Sequence, residues 1–113
     1  MNLFDMSVTQ LEKSMDLRMD NQRVIASNLA NVDTPGYKAR RMDFEASMAQ
    51  ALSGVETPAV INVSTEQGIG LDGNNVEMDA ELSALGRNKT MYSLTAQILA
   101  AKFRQVSTVF EQR

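Results

Sequence analysis

At 113 residues the chain has room for one domain with a small core, whose stability can lean on partners. It is 43% apolar and 22% charged, too apolar for a disordered chain, and its net charge of −3 gives nucleic-acid binding no support. Cys and His are both absent, which excludes thiol nucleophiles, Cys/His zinc sites and imidazole general bases and leaves the redox compartment open.

Aromatics make up only 5% and there are eight Met, so the apolar content suits helix seams better than a sandwich core. Charge is uneven: residues 1–32 carry −1, residues 33–77 carry −4 and residues 78–113 carry +2. No run approaches the ~20 apolar residues of a membrane span. Met1 to Met6 lack the basic and long apolar regions of a cleavable signal peptide, so these signals alone predict a cytoplasmic location.

Ser7 to Val32 predicts a first long helix. Val8, Leu11, Met15, Arg18, Gln22, Ile25, Leu29 and Val32 step alternately by three and four, a heptad seam with two polar members. Ser7 with Gln10, or Thr9 with Glu12, would form a capping box. Residues 7–32 would make a rod of about 39 Å. Asp33-Thr34-Pro35-Gly36-Tyr37 then stops it: Pro and Gly at the centre suit a type II turn, and Thr34 is pushed out of the helical region by the Pro that follows.

Residues 33–77 hold both prolines and five of the six glycines. A short helix is predicted from Asp43 to Leu52, with Phe44, Met48, Ala51 and Leu52 on one face, then a short strand over Ala59–Val63 and a glycine-rich turn region from Gly68 to Asn75. Asp72, Asn74 and Glu77 loosely resemble a calcium loop, but Val76 takes a ligand position and the required Gly is missing, so a turn into a capped helix is expected.

From Met78, the positions Leu82, Leu85, Lys89, Tyr92, Ala96, Leu99, Phe103, Val106, Phe110 and Arg113 step by four and three to the end. Asp79 is the expected N-cap and Lys102, Arg104 and Arg113 sit towards the end that favours cations. Gly86 costs about 1 kcal/mol against Ala. The expected fold is all-α, one domain over residues 1–113. Long N- and C-terminal helices (7–32 and 78–113) pair as a coiled-coil-like hairpin around a partly irregular central segment (33–77). Val24, Ala26, Ala30, Met91, Leu94, Ile98 and Ala100 fall off the seams, a surplus that points to contacts with other chains.

No residue pattern supports catalysis, cofactor binding or a metal, so the chain reads as a non-enzyme. Lys38, Arg40 and Arg41 are too small a basic cluster for nucleic acid. The triplets at Asn62 and Asn88 that fit glycosylation are too common to count. Neither helix has the Lys/Arg-rich face of a membrane-surface helix. An assembling subunit and a soluble helical binding or adaptor module remain.

The stretch SNLANVDTPGYKARRMDF, Ser27 to Phe44, resembles the motif that follows the first helix of flagellar axial proteins, the rod, hook and hook-associated family. Asn28, Asn31, Thr34, Gly36 and Tyr37 match its Asn-x-x-Asn-x-x-Thr-x-Gly-[Tyr/Phe] pattern. Pro35, Tyr37-Lys38-Ala39, Asp43-Phe44 and LDGNNVEMDAE (Leu71 to Glu81) are most similar to proximal rod members. A sibling rod subunit of the FlgC type shares the Asn-rich helix end but generally has a different and longer centre. This chain is short between Leu52 and Leu71, which leaves no clear outer domain.

The resemblance implies a structural subunit of the basal-body rod, exported unfolded by the flagellar type III apparatus without a cleaved signal, and assembled helically in the periplasm to pass torque from motor to hook. Implied partners are further copies of itself, other rod proteins and the rod-base adaptor protein FliE, with no nucleic acid, cofactor or small-molecule substrate. A helical filament needs heterologous contacts, one patch meeting a different patch on the next copy. The expected interface residues are Val8, Leu11, Met15, Ile25 and Leu29 on the first helix and Leu82, Leu85, Tyr92, Leu99, Phe103, Val106 and Phe110 on the last. Asn28, Asn31, Thr34, Pro35, Gly36 and Tyr37 complete the set at the turn, with Tyr37 as an interface anchor.

Overall fold

A computed structural model describes residues 5–54, 56–66 and 72–111. It is an elongated body of 68 × 28 × 19 Å, built on an antiparallel pair of helices, α1 (Val8–Ala30) and α3 (Met78–Glu111). Between them run β1 (Arg40–Met42), α2 (Phe44–Leu52) and β2 (Ile61–Val63). No helix of the described residues is long and apolar enough to cross a membrane.

Local chemistry sets each boundary. Ser7 caps α1 through a full capping box: its Oγ accepts from the Gln10 N–H at 3.2 Å and Gln10 Oε1 accepts from the Ser7 N–H at 2.9 Å. Thr9 lies inside the helix, so the second candidate box does not form. Asp43 caps α2 by accepting from the Ala46 N–H at 3.0 Å. The Lys13 ammonium donates to the Ala51 carbonyl at 2.6 Å, placing a cation on the carbonyl end of that short helix. α3 begins one residue before the expected cap. Its first turn closes on the Glu77 carbonyl, and Asp79 lies inside that turn with Glu81, where both carboxylates meet the positive end of the dipole.

The central segment contains one strand pair that the sequence reading did not anticipate. β1 and β2 are antiparallel, with Arg40 opposite Val63, Arg41 opposite Asn62 and Met42 opposite Ile61. Flanking bonds extend the ladder, from Asp43 N–H to the Val60 carbonyl and from Ser64 N–H to the Ala39 carbonyl, each 2.8 Å. β2 covers only the last three residues of the expected strand. Of the predicted Gly68–Asn75 turn, residues 68–71 lie outside the described residues, as do Val55 and Arg113.

The apolar core is small and lies towards the start of α1. Met6, Leu11, Leu17, Met48 and Ile98 are buried together, with Phe44, Ala51, Leu52, Ala59 and Leu99 packed around them. The Arg18 guanidinium stacks over the Phe44 ring at 3.7 Å from its centroid, and its partial burial lowers its pKa below the ordinary arginine value. Ile98 is core here rather than the surplus surface the heptad reading made it. Towards the other end of the pair the buried positions are mostly polar, with Ile25 the apolar one on α1.

Candidate functional site

The end of α1, the turn after it and the start of α3 form one hydrogen-bonded junction centred on Asn28. Asn28 has no exposed surface. Its Nδ2 donates to the Arg40 carbonyl at 2.8 Å and to Glu81 Oε2 at 3.2 Å, while its Oδ1 accepts from the Arg40 N–H at 3.0 Å and the Tyr37 hydroxyl at 3.3 Å. One amide thus binds the start of β1 on both backbone groups, and ties it to α3. Glu81 is also fully buried, and its other oxygen is ion-paired with Arg41. A buried charge is tolerated when it is paired and hydrogen-bonded in this way.

The helix end itself is closed by side chains. Asn31 Nδ2 donates to the Ser27 carbonyl at 2.8 Å, and Thr34 Oγ1 donates to Asn31 Oδ1 at 3.0 Å. Across the chain, Asn74 Nδ2 faces three carbonyls, of Asn31, Val32 and Thr34, at 2.9, 3.1 and 2.7 Å. The first belongs to the C-cap of α1 and the other two to the turn after it, so Asn74 pins the helix end and its turn from some forty residues along the chain, its two N–H groups shared among the three carbonyls. Asn75 does the same for the sheet. Its Oδ1 accepts from the Ala39 N–H at 2.6 Å and its Nδ2 donates to the Ser64 and Glu66 carbonyls at 3.3 and 3.0 Å.

Between these anchors Pro35-Gly36 makes the expected turn. The Tyr37 N–H closes it on the Thr34 carbonyl at 3.2 Å, and Gly36 takes φ 76°, which non-glycine residues rarely adopt. The Gly36 N–H then donates to the Asp72 carbonyl at 2.9 Å, and Lys38 reaches the Gly73 carbonyl. Tyr37 is half-buried rather than free: its hydroxyl also lies 3.1 Å from Ser27 Oγ. Apart from Glu81 Oε1, which is held by the Arg41 ion pair alone, these groups satisfy one another. What the arrangement does is fix the angle at which the central segment leaves α1.

The helix seams differ from the heptad reading by a small rotation. On α1 the buried positions are Leu11, Ser14, Leu17, Ile25 and Asn28; of the expected seam, Val8, Met15, Arg18, Leu29 and Val32 are half-buried and Gln22 is exposed. On α3 the buried positions are Glu81, Asn88, Thr95 and Ile98. Leu85, Tyr92, Ala96 and Leu99 are half-buried. Leu82, Lys89, Phe103, Val106 and Phe110, expected on the seam, are exposed instead. The face turned to α1 lies one residue earlier than the apolar repeat, because polar side chains occupy it. α3 also runs past the start of α1, and there Phe103, Val106, Val109 and Phe110 are each at least half exposed.

The sequence reading gave Asn74, Asn75, Glu81 and Asn88 no place in the site, although the first three stand in the quoted stretch Leu71 to Glu81. Their signal was available as Asp-Gly-Asn-Asn before a helix and as polar residues seven apart, but a search for apolar repeats passes over both.

A family model described as flagella basal body rod protein matches residues 17–38, the end of α1 and the turn. The flagellar basal body rod protein FlgB of Borrelia hermsii is 32% identical over 135 aligned positions that cover 98% of this chain and all of the relative. The Bacillus subtilis FlgB is 30% identical, with 96% of each chain covered, and the Escherichia coli FlgB 27% identical over 88% of this chain and 89% of its own. Similarity therefore extends well past the motif that builds the junction, and the chain belongs to the flagellar basal body rod protein family.

Proposed function

We propose that this chain is a structural subunit of the bacterial flagellar basal-body rod, of the proximal type, and that its copies join helically to carry torque from motor to hook. The observation that carries the proposal is the apolar stripe on α3. Phe103, Val106 and Val109 are 51, 50 and 62% exposed on the stretch that has outrun α1, and Met78 and Leu82 are 50 and 51% exposed at the opposite end. A free monomer has little reason to display large side chains at both ends, whereas a filament subunit needs two different patches. The signs of charge agree: Lys102 and Arg104 flank the first patch, and Glu77 and Asp79 the second.

On this reading the interface comprises Val8, Met15, Leu82, Phe103, Val106 and Phe110, while Leu11, Ile25, Asn28, Asn31, Thr34, Pro35, Gly36 and Tyr37 set the shape that presents it. The rod location puts the working protein in the periplasm, delivered by the flagellar type III export apparatus, with other rod proteins and the rod-base adaptor protein FliE as neighbours. It acts without catalysis, cofactor, nucleic acid or small-molecule substrate.

Deletion of the gene with complementation tests this. Loss of swimming and of external flagella, restored by the wild-type chain and not by a folded Phe103→Glu/Val106→Glu variant, is expected. A deletion strain that swims normally would overturn the proposal, and a folded wild-type chain that stays monomeric at all concentrations would favour the adaptor reading.

A further inference from the structure

Four buried polar side chains follow one another at intervals of seven residues: Asn74, Glu81, Asn88 and Thr95, at 7, 0, 2 and 0% exposure. Three of them meet polar groups of α1. Asn74 binds the carbonyl of its C-cap Asn31, Glu81 accepts from Asn28, and Asn88 Nδ2 donates to the Arg18 carbonyl at 2.8 Å while its Oδ1 accepts from Asn21 Nδ2 at 3.0 Å. The α1 partners are also seven apart, Asn28 and Asn21. One further step leads to Ser14, 2% exposed, on α1 and to Thr95 on α3, whose hydroxyl donates to the Met91 carbonyl at 2.7 Å within its own helix.

We propose that this ladder is the specificity determinant of the helix pair: it selects α1 of the same chain, antiparallel and in this register, as the partner of α3. An apolar seam tolerates a slip of one heptad because every rung looks alike to its neighbour. A polar seam does not, since a slipped amide or carboxylate is buried against the wrong group. A seven-residue slip one way would set Glu81 against Asn21 and Asn88 against Ser14. The other way would carry Glu81 out of the pair and set Asn28 against the amide of Asn88 in place of a carboxylate, and either slip would take Asn74 from the Asn31 carbonyl. The ladder also stops where it should. The next positions on α3 are Lys102 and the exposed Val109, beyond the start of α1, and here the buried polar series gives way to the apolar stripe. Polar rungs thus mark the contact within the chain and leave the apolar face for contacts outside it. The inference stands on the hydrogen bonds alone and holds whether or not the chain builds a rod.

The test exploits the absence of cysteine from the sequence. Spin labels on Glu12→Cys and Ser83→Cys, both exposed positions well separated along the pair, report register by pulsed electron spin resonance, because a one-heptad slip changes their axial separation by about 10 Å. The wild-type background should give one narrow distance distribution. Asn21→Leu with Asn88→Leu should raise Tm yet broaden that distribution or add a second population. Should leucine overfill the seam and unfold the pair, Asn21→Ala with Asn88→Ala is read the same way. A single narrow distribution in the folded variant, unchanged from wild type, would show that apolar packing and the central segment set the register and would overturn the inference.

Discussion

Asn28→Ala is the substitution that most sharply separates a structural hub from a surface polar residue. It leaves the buried Glu81 Oε2 without its amide donor and removes the partner from both backbone groups of Arg40. An unsatisfied buried group costs ~1–3 kcal/mol, and more when charged. Taking ~2 for the carboxylate oxygen and ~1 for the two backbone groups, which water can reach in part, gives a loss of about 3 kcal/mol. A domain of this size has roughly 5–15 kcal/mol in all. At roughly 4–8 °C per kcal/mol, Tm should fall by about 12–24 °C. Far-UV circular dichroism melts of wild type and variant at equal concentration measure it. Glu81→Gln is the internal control: it keeps an oxygen for Asn28 but turns an amide N–H2 towards the half-exposed Arg41 in place of the ion pair, so ~1–2 kcal/mol is expected, less than for Asn28→Ala. A drop of less than about 3 °C for Asn28→Ala, or a larger drop for Glu81→Gln, would refute the reasoning.

Asn74→Asp should destabilise more than Asn74→Ala, because a carboxylate cannot donate to the three carbonyls it faces and is repelled by the negative end of α1; urea midpoints rank the two. Pro35→Ala with Gly36→Val should leave helix content intact in circular dichroism while abolishing motility, since Val cannot readily adopt the φ of Gly36; normal swimming would count against a role for the turn in assembly. Phe103→Glu with Val106→Glu should leave Tm within about 2 °C of wild type, both positions being half exposed, and weaken self-association in sedimentation velocity. Equal association would move the interface elsewhere.

Much of this architecture could be read from residue order. Ser7 and Gln10 announced the start of α1, Pro35-Gly36 its end, and Asp43 the start of α2, because caps and turns act through neighbours in sequence. The partner face could not be read the same way. Hydrophobic periodicity assigns the inside to Leu82, Phe103 and Val106, but in this pair Glu81, Asn88 and Thr95 go inside and the leucine and phenylalanine face out. That inversion has a reason a periodicity search lacks: polar groups can be buried when each finds a partner, and those of Glu81 and Asn88 lie on α1, 53 and 67 residues away, while Thr95 bonds a carbonyl of its own helix. β1 escaped notice on similar grounds. Arg40-Arg41-Met42 is too short to show alternation, and it becomes a strand only because Ile61–Val63 and the amide of Asn28 take up its backbone groups. The motif residues were legible as a set, but their hydrogen bonds were not: the Tyr37 hydroxyl, read only as part of an anchor for a neighbour, is bonded to α1.

The central claim is that this chain is built into the rod. Hook–basal bodies purified from cells carrying the chain, imaged by electron cryomicroscopy and checked by mass spectrometry, test it most directly. The account predicts the chain among the rod components, with the α1–α3 pair in the proximal rod density and Phe103 and Val106 against a neighbouring subunit. Intact rods from motile cells that contain none of it would contradict the account.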